Sequence, residues 1–356
     1  MLGVNRPVDV AVIGAGQAGL SSAYFLKRAG FEPGSGFVVL DGDAGPGGAW
    51  QHRWPTLTFG AAHRLYPLPG FPLGPVDAEQ SAAAVVAEYY GDFERYFDLP
   101  VRRPVRVQAV RPGDGERLRL ETTAGTWSAR AVVNASGTWT KPFRPAYPGA
   151  ATFRGRQLHT ADYRRPQEFA GRHVVVVGGG NSAVQLLAEV STWTTTTWVT
   201  RREPVWNEGP FDESAGREAI ARVEAAVLAG RPPASVVSVT GLGRTSAVQA
   251  AAERGVMVRR PMFDRITPTG VLWANGDFVA ADVILWCTGF RAALDHLAPM
   301  HLREPGGGIR LQGTRVVADP RIHLVGYGPS ASTIGANRAG RVVARELKAR
   351  LDGSPR

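Results

Sequence analysis

One device, used twice, constrains this chain more than any other feature. "DVAVIGAGQAGLSSAYFL" (residues 9–26) and "HVVVVGGGNSAVQLLAEV" (173–190) both run from consecutive apolar residues through a glycine cluster into an apolar stretch at helical spacing. A short unbroken apolar run reads as a strand of a parallel sheet covered on both faces. The glycines after it read as a strand-to-helix turn. Two such units predict an α/β chain with two Rossmann-like dinucleotide domains, to which small antiparallel β meanders are added. The 356 residues leave room for both.

The first unit carries Gly14-Ala-Gly16-Gln-Ala-Gly19, a G-x-G-x-x-G. Gly14 permits the tight turn, Gly16 lets a pyrophosphate approach the backbone, and Gly19 lets the helix pack close to the strand. The first helical turn, Gln17 and Ala18 included, offers N–H groups and a partial positive charge to phosphates. A second strand, "GFVVLDGD", follows. It ends in Asp41 about 20 residues past Gly19, where an acid accepts ribose hydroxyls; Asp43 is the alternative.

In the second unit the pattern is Gly178, Gly180 and Ala183, with Asn181 and Ser182 opening the helix. The strand after it, "TTTWVTRRE", ends in Arg201 and Arg202 where an acid would favour NADH. Guanidinium groups there suit the 2′-phosphate of NADPH, with NADH left as a second, weaker donor. An acid at one site and arginines at the other point to two different dinucleotides, FAD and NADPH, and so to hydride transfer from nicotinamide to flavin.

Composition removes several other classes. The charge is +10, but only three of the 41 basic residues are lysines and the arginines are scattered, so a nucleic-acid surface is not expected. No apolar run reaches the ~18–20 residues that cross a bilayer. The N-terminal apolar segment is broken by glycines and carries only Arg6, unlike a secretory leader. No membrane association and a cytoplasmic location are therefore expected. The single cysteine, Cys287, cannot form a dithiol centre, and no metal site is expected.

Between the units, "VRVQAVRPGDGERLRLETTAGTWSARAVVNASG" alternates like an antiparallel meander with turns at Gly113 and Gly125. "GVLWANGDFVAADVILWCTG" repeats the idea with Asn275-Gly276 as its turn. "TWTKPFRPAYPGA" reads as a linker. The expected division is residues 1–149 with 287–356 for FAD, and 150–286 for NADPH. Residues 209–262 carry two helical stretches and are read as an insertion.

At this point the chain resembles the flavin-containing, class B monooxygenases, and above all their short bacterial members. Phe153, Gly155, His159 and Tyr163 fit the fingerprint F-x-G-x-x-x-H-x-x-x-(Y/F/W), just ahead of the second glycine motif. "GPGGAWQHRW" resembles the family's G-G-x-W segment beside the flavin, which implicates Gly48, Trp50 and Gln51. The resemblance also implies that Val107 lies at the FAD adenine. It further implies that the helix start at Ser332 and Thr333 faces the pyrimidine edge of the flavin ring, where the dipole favours negative charge. His159 is implied to couple domains rather than to transfer protons, and no residue is named as catalytic. Trp54, Phe59, Tyr66 and Phe71 are candidates for an apolar wall. One departure stands out: no asparagine occurs between Asn5 and Asn134, where many members place one near the reactive flavin carbon. His63 or a backbone N–H would have to substitute.

The resemblance implies the following reaction. NADPH reduces the flavin, and dioxygen adds at C4a to give a hydroperoxide. Its distal oxygen passes to a sulfide, an amine or a ketone. The partners are then O2 and a small molecule, and a homodimer stays open. Three rival readings remain: an NAD(P)H oxidase, a ferredoxin–NADP-type reductase without a dithiol, and an NADP-sensing regulator with no turnover.

Overall fold

The two valine-rich runs become central strands of two separate sheets. The computed structural model describes residues 5–62, 65–206, 213–233 and 241–353. The first sheet is built on β1 (Asn5–Ile13), flanked in parallel by β2 (Phe37–Leu40) and β6 (Gly125–Asn134). β3 (Val101–Arg102) joins β2 in parallel, and β17 (Ile322–Leu324) joins β6. The short strands β15 (Leu311–Gln312) and β16 (Arg315–Val316) finish that edge. β4 (Val107–Pro112) and β5 (Leu118–Thr122) pair antiparallel with each other, and β5 with β6, as the expected meander.

The second sheet is wholly parallel. Its order is β10 (Arg259–Pro261), β9 (Thr196–Thr200), β8 (Val174–Val177), β14 (Val283–Trp286) and β7 (Arg156–His159). Its unbroken apolar runs have a simple cause. Val174, Val176, Trp198 and Leu285 fill the core on one face, while Val175, Val177, Val199 and Ile284 fill the core on the other. Side chains alternate across a strand, so a sheet covered on both sides needs apolar residues at every position.

Each first strand feeds its helix directly: α1 (Gln17–Arg28) after β1, and α3 (Asn181–Val190) after β8. α2 (Ala82–Tyr96) supplies Val86, Tyr90 and Phe93 to the core under the first sheet. The last helix, α6 (Thr333–Leu351), packs along α1 at very short range. A methyl group on Gly340 would lie 2.7 Å from Ser21 Oγ, so only glycine lets the two helices meet there.

Two features of the sequence reading change. The second hairpin is a separate three-stranded sheet of β11 (Arg265–Thr267), β12 (Gly270–Leu272) and β13 (Phe278–Ala280), and β14 leaves it for the parallel sheet. In the first half, by contrast, β6 serves both the meander and the parallel sheet, so the repeat is only approximate. The stretch read as an insertion is also structural. α4 (Glu213–Leu228) lays Val227 into the core of the first sheet and against Gly328, while α5 (Ser246–Glu253) packs on α3.

Candidate functional site

The glycines of each motif fall into two kinds. Gly14 has φ +96°, and a methyl on it would lie 2.7 Å from the Ala135 carbonyl oxygen. A methyl on Gly19 would stand 1.8 Å from the Gly14 oxygen. Gly178 has φ +147°, and its methyl would meet the Cys287 oxygen at 2.3 Å. The fold itself demands glycine at these three positions. Ala183 is fully buried, which limits the third slot of the second motif to a small side chain.

The middle glycines have no such reason. Gly16 and Gly180 have φ of −81° and −108°, which any residue adopts. A methyl on Gly180 meets nothing within 4 Å, and one on Gly16 meets only Gly48 Cα at 3.9 Å. Both residues cap their helices without a side-chain hydrogen bond. The result is a smooth, open backbone surface at a helix N-terminus, suited to close approach by a phosphate. Both cradles therefore fit a dinucleotide pyrophosphate.

Other elements converge on the first cradle. Gly48, in the turn that carries Trp50 and Gln51, presses on Gly16: a methyl there would lie 2.8 Å from Gly16 Cα. Gly326 approaches Ala18, its methyl position 3.2 Å from Ala18 Cβ, and so brings the start of α6 alongside. Ser332 caps α6 by accepting from the Gly335 N–H at 3.0 Å, and Thr333 Oγ1 accepts from the Tyr66 N–H at 3.3 Å. The Gln17 side chain is committed inside the protein, to Asn337, the Tyr66 carbonyl and the Tyr90 hydroxyl. What it leaves for a cofactor is its backbone. Gln51 donates to Asp43 at 3.2 Å and to the Gly45 carbonyl at 3.1 Å.

Asp41 lies just past the end of β2, as the spacing predicts, and is 5% exposed. Its Oδ2 accepts from Arg103 Nε at 2.6 Å, and Arg103 also forks onto Glu94 at 2.6 and 2.7 Å. Burial pushes the Asp41 carboxyl upward, and Arg103 opposes that shift. The arginine keeps a nearly buried carboxylate in place at a position where ribose hydroxyls would need an acceptor. Val107, buried in β4, begins beside this network: the Val105 N–H bonds the Asp41 carbonyl at 2.7 Å.

In the second cradle Asn181 and Ser182 open α3 and are half-buried. Arg201 and Arg202 are exposed just beyond β9, and no described carboxylate pairs with either. Nearby, Thr200 Oγ1 accepts from Arg259 Nε at 2.6 Å, and Arg259 holds Glu203 at 3.2 Å. Arg259 thus keeps the nearest acid engaged. It comes from β10, about 60 residues later in sequence, so no local pattern announces it.

The fingerprint residues gather where the chain enters the second sheet. His159 is fully buried at the end of β7. Its Nε2–H donates to the Gly289 carbonyl at 2.9 Å, and its Nδ1 accepts from the Ala161 N–H at 3.1 Å. Burial lowers its pKa, so the ring is neutral. Gly155 is required by close packing, since a methyl would lie 2.3 Å from the Asp282 oxygen, and Phe153 packs beside it. Tyr163 is buried, stacked on Phe169 and edge-on to Trp54.

From Ala135, against the first cradle, the chain runs to Trp139. From Cys287, against the second, it runs to Phe290. The two rings stack at 4.9 Å. Ser136 Oγ donates to the Ala293 carbonyl at 2.6 Å, and Phe143 N–H to Gly289 at 2.9 Å. The segment after Gly48 crosses as well, with Trp54 and Leu57 in the core of the second sheet and the Ala61 carbonyl accepting from Gln185 at 2.9 Å. Trp54 is therefore a core residue rather than part of a substrate wall, while Phe71, partly buried, stacks on Tyr89 beneath the first sheet. Phe59 is partly buried against that same core, and Tyr66 is half exposed. His63 lies outside the described residues.

Residues 11–222 match the family model described as pyridine nucleotide-disulphide oxidoreductase. Among solved structures, a flavin-containing monooxygenase from Stenotrophomonas maltophilia is 39% identical, with a TM-score of 0.83 over 98% of this chain and 100% of that one. The uncharacterized oxidoreductase CzcO-like of Geobacillus kaustophilus is 31% identical over 184 residues, 52% of this chain and 51% of that protein. A Baeyer-Villiger monooxygenase of Streptomyces coelicolor is 32% identical over 214 residues, 57% of this chain and 39% of that protein. The chain thus spans about half the length, or less, of the curated relatives it matches.

Proposed function

The chain belongs to the pyridine nucleotide-disulphide oxidoreductase family and, within it, to the flavin-containing monooxygenases, and from that membership we propose that it is an NADPH-dependent, FAD-containing monooxygenase that inserts one oxygen atom of O2 into a soft nucleophile, a sulfide or amine, or into a ketone. Bound flavin would supply the oxygen-activating chemistry once reduced by the nicotinamide cofactor. An internal dithiol, which the family's description suggests, has no second cysteine here. The only cysteine is buried, with burial pushing the thiol up to about 12.

The observation that carries the reading is the pair of middle glycines, Gly16 and Gly180, which the fold leaves open and does not itself need. In this reading Gly14–Gly19, Asp41, the Gly48–Gln51 turn, Val107 and the α6 start hold FAD. Gly178–Ala183 with Arg201 and Arg202 hold NADPH. The division proposed is residues 1–149 with 287–356 for FAD, and 150–286 for NADPH. The protein's own work is to position the two cofactors and to exclude water around them. Trp139, Phe290 and the His159–Gly289 bond hold the connecting segments together for that purpose.

The test is anaerobic reduction of the purified holoprotein by NADPH, then mixing with oxygenated buffer containing methyl phenyl sulfide, with product analysis. Sulfoxide formed in step with NADPH consumption supports the reading. Hydrogen peroxide alone, with no oxygenated product from a sulfide, amine or ketone panel, would replace it with an oxidase.

A further inference from the structure

Arg259 reaches the rim of the second cradle from a strand far along the chain. β10 lies at the sheet edge and pairs with β9, so that Arg259 stands beside Trp198 and Pro261 beside Thr200. Neighbouring side chains leave opposite faces of a strand. Arg260 goes to Trp273 and Asp277, while Arg259 goes to the end of β9. Its Nε–H donates to the Thr200 hydroxyl at 2.6 Å, one Nη to the Thr200 carbonyl at 3.4 Å and the other to Glu203 at 3.2 Å. The Thr200 hydroxyl in turn donates to the Arg202 carbonyl at 2.7 Å.

Chemistry fixes the direction of these bonds. A guanidinium has no lone pair to offer, so the Thr200 oxygen accepts from it. The one hydroxyl proton is then left for the Arg202 carbonyl. Thr200 is almost fully buried, so its hydroxyl depends on these two partners. The relay from Arg259 through Thr200 closes the turn that carries Arg201 and Arg202. That turn lies against the cradle. The Gly178 N–H donates to the Val199 carbonyl at 2.9 Å, and a methyl on Gly179 would lie 3.7 Å from Thr200 Cγ2 and 3.9 Å from Pro204 Cγ. Glu203 follows the two arginines directly and its side chain is largely exposed. Unpaired, it would stand as an acid beside any phosphate they hold, and like charges repel.

We propose that Arg259 is a positioning residue for the choice of nicotinamide donor: through the Thr200 hydroxyl it sets the turn that presents Arg201 and Arg202 to the 2′-phosphate, and it pairs with Glu203 so that this acid does not oppose the phosphate. The proposal rests on the NADPH reading of the second cradle. Arginine recognises phosphate by the orientation of its fork, and a turn fixed in advance lowers the ordering cost of binding. Direct contact of Arg259 with the phosphate is the alternative. Against it, the Arg259 side chain is only 23% exposed and its donors are spent on Thr200 and Glu203. Arg201 and Arg202 are exposed and have no described acidic partner.

The test is calorimetric titration of the oxidised holoprotein with NADP+ and with NAD+. Thr200→Val keeps every charge and the side-chain shape but removes the relay. It should weaken NADP+ by about fivefold or more, the scale of coupling within one hydrogen-bond network, and leave NAD+ nearly unchanged. Thr200→Ser keeps the hydroxyl and should bind both as the unaltered protein does. Arg259→Gln combined with Glu203→Gln breaks the relay without freeing the acid, and serves the same purpose if Thr200→Val does not fold. Arg259→Gln alone should lose more than that pair. With Arg201 and Arg202 already replaced by serine, Thr200→Val and the Arg259→Gln, Glu203→Gln pair should cost no further NADP+ affinity, because they act through those arginines. Unchanged preference in Thr200→Val, or equal loss of NADP+ and NAD+, overturns the inference. So does a further loss from the pair in the serine background, which would put Arg259 on the phosphate itself. If the serine variant keeps the unaltered protein's preference for NADP+, the NADPH reading fails and takes the inference with it. If that variant loses the preference while Thr200→Val does not, only the inference fails.

Discussion

The Nε2–H of His159 and the carbonyl oxygen of Gly289 are 2.9 Å apart, and that one bond ties the strand entering the second sheet to the loop leaving it. Because the ring is buried and neutral, the bond has a defined direction, with His159 as donor. His159→Phe removes this donor and the acceptor of the Ala161 N–H, while the Gly289 carbonyl keeps the Phe143 N–H, so the loss is about 0.5–1.5 kcal/mol. The check is a urea unfolding midpoint measured beside flavin content. The midpoint should fall while flavin still copurifies. An unchanged midpoint would mean that the bond contributes nothing to holding that strand and loop together.

The two kinds of glycine make opposite predictions. Gly180→Ala meets open space at a permissive φ, so the protein without NADPH should lose no more than about 0.5–1 kcal/mol, the usual cost of alanine in place of a good N-cap. Its NADPH affinity should drop about tenfold or more, because the methyl fills the phosphate's approach. Gly178→Ala should unfold the second unit's turn outright, given φ +147° and a contact of 2.3 Å with Cys287. Thermal melts with and without NADPH separate these cases. A Gly180→Ala protein with unchanged NADPH affinity would refute the second cradle.

Arg201 and Arg202 are exposed and without a described acidic partner, so replacing both with serine should cost little stability. Flavin reduction by NADPH should weaken by about tenfold or more, while reduction by NADH changes little. Comparing the two KM values gives the answer, and equal losses for both donors would move the 2′-phosphate elsewhere.

Acid should destabilise the fold through buried histidines. His323 is almost fully buried, and burial together with Arg350 and Arg315 lowers its pKa to about 3; burial lowers that of His296 to about 4. Both stay neutral in the folded protein at pH 5, while in the unfolded chain they titrate near 6.5. Below that value the unfolded state binds protons the native state refuses. The stabilisation is thus complete above about pH 6.5 and declines as pH falls toward 4, by up to about 1.4 kcal/mol per pH unit for each histidine. Unfolding midpoints at pH 7.5, 6.0 and 5.0 should show this decline, and His323→Gln should flatten part of it. A wild-type midpoint constant across that range contradicts the account.

Much of the fold was legible because its signals are local. A valine run needs two covered faces, and glycine after it needs a turn. The residues at 14, 19 and 178 carry that information within a few positions. The acid after β2 and the arginines after β9 could be placed because strand and helix lengths fix the spacing between them. Less could be read where one residue answers to a distant one. Trp54 looks like a pocket aromatic until Tyr163 lies against it, and α4 looks like an insertion until Val227 reaches the first core. That the Gln17 side chain points inward, to Asn337 some 320 residues away in the chain, could not be read locally.

By itself, then, the sequence determined two strand–glycine–helix units, which glycines their turns need, and an acid after the next strand of one against arginines after that of the other. These follow from backbone sterics and from residues within one strand–turn–helix of each other. Only the tertiary structure decided which charges are neutralised and which are left over. Arg103 and Arg53 are the same residue type about 50 positions apart, with nothing local to tell them apart. Folding brings Asp41 and Glu94 to the first, and to the second the remote indole of Trp139 beside Trp50 of its own turn. Pairing of charges depends on contacts between remote segments, and no local pattern encodes those contacts.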